Sequence, residues 1–86
     1  MQLEGKLFRA NLMIQMATVS QPDTSERFVV QLERAFIQLC RQLEMPLPIW
    51  MEKNTKEFAR FHQTLFFAEQ FTDPITFERF QIRWIE

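Results

Sequence analysis

The stretch FARFHQTLFFAEQF, residues 58–71, carries five phenylalanines and the chain's only histidine. Its secondary structure decides the fold. At 100° per residue, Phe58, Phe61, Leu65 and Ala68 gather on one side, the stripe of a helix packed on a core. Asn54 followed by Glu57 has the spacing of a capping box, and TDP (72–74) is a stop signal. The pattern predicts a helix from Thr55 to about Phe71. Phe66, Phe67 and Phe71 lie off its stripe, and a helix apolar nearly all round needs cover on more than one side.

Upstream, MPLPIWM (45–51) must be extended, because the residue before each proline is pushed out of the α region. Trp50 is expected to cover the end of the second helix. Before it, Asp23 and Glu26 repeat the capping spacing, and a first helix runs to about Glu44. Its apolar positions, including Leu32, Phe36, Leu39 and Cys40, fill one continuous face, while Val30 and Ile37 form a second, smaller strip.

Both ends of the chain alternate with period two. In KLFRANLMIQMATVS (6–20), Phe8, Ala10, Leu12, Ile14 and Met16 share a face. In ITFERFQIRWI (75–85), Phe80, Ile82 and Trp84 face one way and Arg79, Gln81 and Arg83 the other. Each segment reads as a single strand. The expected order is β-α-α-β in one domain, residues 1–86. It is an α+β fold with two helices on one face of an antiparallel sheet.

Two strands alone make a marginal sheet. A fifteen-residue strand, at roughly 3.3 Å per residue, would also reach about 50 Å. A homodimer that completes the sheet answers both problems. The surplus apolar residues Val30, Ile37, Trp50, Phe66, Phe67 and Phe71 are the interface candidates.

Composition narrows the function. Phe numbers ten and Tyr none, an inventory that favours burial over recognition by hydrogen bonds. With one glycine there is no glycine-rich phosphate loop. The net charge of −1 is spread evenly along the chain, which argues against nucleic acid and against a membrane-seeking basic helix. The polar strand faces could still gather Arg9, Arg79 and Arg83 with Asn11, Gln15 and Gln81, a set suited to phosphate or carboxylate oxygens.

A single cysteine forbids an intrachain disulfide, and one histidine with one cysteine cannot make a typical zinc set. His62 reads as a boundary residue and Cys40 as a buried small hydrophobe. No cofactor or metal is implied. MQLEGKLFRA lacks the basic-then-apolar start of a signal peptide, and no apolar run reaches the length of a membrane span. The expectation is a cytoplasmic, non-enzymatic protein-interaction or accessory module. The alternative is an anion or nucleic-acid binder using the three arginines.

Overall fold

The structure, a computed structural model, describes residues 1–85. Strand β1 (Gln2–Arg9) and strand β2 (Leu12–Ser20) are followed by helix α1 (Phe28–Gln42) and helix α2 (Glu52–Phe61). Then come β3 (Gln63–Phe67), one 3-10 turn (Ala68–Gln70) and β4 (Arg79–Trp84). The strands form one antiparallel sheet in the order β2-β1-β4-β3. The α+β class stands, but the order is β-β-α-α-β-β.

The first correction concerns residues 6–20, expected as one strand. The chain reverses at Ala10 (φ 52°) and Asn11 (φ 63°), the pair of left-handed residues that a tight two-residue hairpin requires. No glycine marks the turn, so the alternation reads straight through it. Beyond the turn, Leu7 pairs with Gln15 and Phe8 with Met13, leaving Ile14 as a bulge. The overlong strand therefore folds back on its own chain.

The second correction concerns residues 55–71. The helix stops at Phe61, and His62 takes a left-handed conformation (φ 60°, ψ 23°) with its N–H donating to the Phe58 carbonyl at 2.9 Å. QTLFF then runs as a strand. Thr64 and Phe66 face the core, and Leu65 and Phe67 face outward. Four strands thus come from one chain, which removes the physical ground on which a second copy was expected to complete the sheet.

Helix α1 lies over β1 and β2, and α2 lies against β3. Gly5 allows the first contact: a Cβ there would sit 2.8 Å from Leu39 Cδ2 and 3.0 Å from Phe80 Cε1. The core joins Leu3, Leu7, Phe66, Phe80 and Ile82 of the sheet to Ala35, Phe36 and Leu39 of α1 and Phe58 of α2. The expected Asp23–Glu26 cap does not form. Glu26 instead binds Arg34 through two hydrogen bonds of 2.8 and 2.9 Å, and Arg27 occupies the N-cap without a side-chain bond. At its other end α1 closes on left-handed Glu44, with Met45 N–H donating to the Cys40 carbonyl.

Candidate functional site

The two helices cover different strands and touch each other little. Between them lies an apolar groove of about 520 Å³. Phe28, Val29, Leu32 and Phe36 of α1 form one wall, and Phe58 and Ala59 of α2 the other. Spacing explains the walls. Val29, Leu32 and Phe36 succeed each other at three and four residues, the near neighbours on a helix surface. The volume falls within the range of ligand pockets, and such pockets are mostly apolar.

Trp50 closes the groove from the extended MPLPIWM segment. Its Nε1–H donates to Thr55 Oγ1 at 2.8 Å. Its ring meets Phe36 edge-on at 5.7 Å and Phe58 at 6.0 Å, and lies 5.5 Å from Phe66. These are favourable aromatic separations. Glu33 is the single ionisable residue of the lining.

Buried amides hold that segment in place. Asn54 Nδ2 donates to Thr64 Oγ1 (2.8 Å) and the Leu65 carbonyl (3.0 Å). Asn54 Oδ1 accepts from Met51 N–H and from Gln70 Nε2, both at 2.9 Å. All four hydrogen-bonding positions of the amide are filled. Gln70 also donates to the Ile49 carbonyl at 3.1 Å and accepts from Phe67 N–H. Thr64 in turn donates to Glu57 at 2.6 Å. One network therefore ties the loop, α2, β3 and the 3-10 turn together. Asn54 caps α2 from its third position, with Met51 at the N-cap, one turn earlier than the spacing predicts.

The three arginines are not brought together. Arg9 donates to the Thr76 carbonyl at 3.0 Å. Arg79 pairs in register with Phe8, so Arg9 falls on the opposite face of the sheet. The Arg79 guanidinium lies 4.4 Å from the centre of the Phe8 ring. Arg83 sits in register between Glu4 and Gln63. Gln15, the partner of Leu7, is exposed on the helix-bearing face of the sheet, where its Nε2 donates to the Leu43 carbonyl at 3.5 Å. The outer sheet face mixes Glu4, Lys6, Gln81 and Arg83 with Phe8, Met16 and Leu65, and offers no convergent anion cradle.

Of the apolar candidates, Trp50 lines the groove. Phe66 and Phe71 are core residues. Phe67 is partly exposed with Lys53 Nζ 4.8 Å above its ring. Val30 and Ile37 are half-buried on α1, and Ile37 borders a smaller hollow beside Arg34 and Arg41. His62 is exposed, its ring 4.8 Å from that of Trp84. Among the described residues no three His, Cys, Asp or Glu side chains group as a metal site, and no helix is long and apolar enough to cross a membrane.

Burial pushes the Cys40 thiol up to about 12 from an ordinary 9.0. Above pH 9 the unfolded thiol loses a proton that the folded one keeps. That contribution to stability is therefore whole below pH 9 and is lost as pH rises towards 12. Urea melts across this window are expected to show a steeper decline for the native chain than for Cys40→Ala. The folded thiol is expected to resist alkylation at pH 8.

Comparison of the chain with family models, with curated proteins and with solved structures gives no match in any of the three.

Proposed function

We propose that this chain is a non-enzymatic protein-interaction module and that the α1–α2 groove holds its partner. The observation that carries the reading is an aromatic-floored groove left open between two helices. Its dimensions and lining suit the apolar face of an amphipathic helix, the mode in which successive apolar anchors fill a hydrophobic slot. Glu33 at the wall favours a partner with lysine or arginine beside those anchors. The same reading makes the chain a homodimer acting in the cytoplasm, where a single free, buried cysteine is at home. The anion-binding alternative has less support, because Arg9 lies on the opposite sheet face from Arg79.

Titration with a synthetic leucine–lysine amphipathic helical peptide tests the groove, read by calorimetry and by Trp50 fluorescence. Val29 is 56% exposed, so Val29→Glu should change stability by no more than about 0.5 kcal/mol. It is expected to weaken peptide binding at least about tenfold, the equivalent of about 1.4 kcal/mol. Equal affinity in the variant, or no binding to the native chain, would refute the assignment.

A further inference from the structure

The sheet has one partly blocked edge and one open edge. At β3, backbone groups alternate between facing β4 and facing away. The His62 carbonyl accepts from Trp84 N–H, so Gln63, Leu65 and Phe67 face away. Two of those outward groups are already used: the Leu65 carbonyl accepts from Asn54, and Phe67 N–H donates to Gln70. The buried amide network thus blocks part of this edge.

At β2 the opposite holds. The carbonyls of Gln2 and Phe8 serve Ile85 and Glu78 on the β4 side. By alternation Leu3, Gly5 and Leu7 face β2 and engage Val19, Ala17 and Gln15. Among the described residues, the outward N–H and C=O groups of Met16, Thr18 and Ser20 meet no strand, helix or side-chain cap. Natural edges are guarded by charge, proline, shortness or a bulge. β2 is nine residues long, and no charged residue lies between Arg9 and Asp23. Its one guard is the bulge at Ile14. Leu12, Met13, Ile14 and Met16 are each 42–68% exposed.

We infer that β2 is where two copies of this chain join, edge to edge and antiparallel about a twofold axis, into one continuous eight-stranded sheet. The inference rests on the homodimer reading and assigns it a place away from the groove. A second copy is the fitting occupant for two reasons. An uncharged strand meets itself without repulsion, and it offers a charged foreign strand no ionic reward. Each copy also brings one fully open edge and one that the amide network partly blocks, so a twofold pairing consumes the open edges of both copies. Centring on Thr18 keeps the bulge outside the new ladder. Thr18 then lies opposite Thr18 of the partner subunit, and Met16 opposite Ser20 of the partner subunit. That register forms about six new backbone hydrogen bonds.

The test is absolute mass by light scattering from micromolar to millimolar chain concentration. The native chain is expected to move towards twice its 10.5 kDa mass. Thr18→Pro removes an N–H that the monomer leaves unused, and Met16→Lys places a charge on the edge. Each should raise the half-dimer concentration at least about tenfold with an unchanged circular dichroism spectrum. If the proline unfolds the strand, the exposed lysine substitution alone decides. A native chain that remains at monomer mass at millimolar concentration would overturn both the homodimer reading and its placement. A dimer that survives Met16→Lys, or one abolished by Val29→Glu, would overturn the placement at β2 and leave self-association standing.

Discussion

Asn54→Ala is expected to cost about 4 kcal/mol of folding stability, the largest loss from a single polar substitution in this chain. The side chain is fully buried and makes four hydrogen bonds, to Thr64, Leu65, Met51 and Gln70. Its removal orphans the Leu65 carbonyl and Met51 N–H, and deprives Thr64 and Gln70 of one partner each. An unsatisfied buried group costs roughly 1–3 kcal/mol. Small domains hold about 5–15 kcal/mol in total. Asn54→Asp should recover little, because a carboxylate cannot donate to Thr64 or to the Leu65 carbonyl. Urea denaturation followed by circular dichroism measures both. A loss below about 1 kcal/mol would mean that the network does not carry the loop.

Phe66→Ala is expected to cost about 4 kcal/mol, whereas Phe67→Ala next to it should cost less than about 1 kcal/mol. Phe66 is 0% exposed and lies 5.4 Å from Phe36, 5.5 Å from Trp50 and 5.7 Å from Phe80, ring centre to ring centre. Phe67 is 36% exposed on the other face. A strand turns adjacent side chains to opposite faces; a helix separates them by only about 100°. The disparity between the two neighbours therefore reports the strand directly. Similar costs at both positions would refute it. Thermal melts of the pair are sufficient, since a difference of about 3 kcal/mol moves the midpoint by roughly 12–24 °C in a domain of this size.

What the sequence discloses follows from local periodicity. The buried face of α1 runs from Leu32 to Cys40 as the helical wheel predicts, with Leu43 buried just beyond its end, and β4 alternates with Phe80 and Ile82 inward. β4 keeps one period throughout, and α1 buries its face from Leu32 onward, while Phe28 and Val29 at its start stay exposed at the groove. Residues 58–71 defeat the same method because they change period at His62. Phe58 belongs to a helical stripe and Phe66 to a strand face, and Leu65, which completes the helical stripe, lies on the outer face of the strand. The hairpin at Ala10–Asn11 hides for another reason. Asn tolerates the left-handed region and Ala bears its cost, so the usual glycine signal is missing. The groove has no local signature at all. It exists because α1 and α2 settle on different strands, and that separation depends on Gly5, far away in sequence, admitting Leu39 to the sheet. Asn54 was legible as a capping residue, but its bonds to Thr64, Leu65 and Gln70 depend on a strand that the periodicity did not disclose.

The pairing of β1 with β4 sets the pace of assembly. Leu3 lies beside Trp84, so the two central strands meet only after almost the entire chain has been drawn into a loop. Loop closure must precede the reward from those contacts, and folding slows as partners become more distant in sequence. The β1–β2 hairpin is local and can form in microseconds; the step that seats it against β4 is the slow one. The same adjacency offers a remedy. A short linker from the end of β4 to the start of β1 would turn the most distant pairing into a hairpin, with new ends opened in the exposed connection between β2 and α1. Such a rewired chain would keep its core and reach it faster.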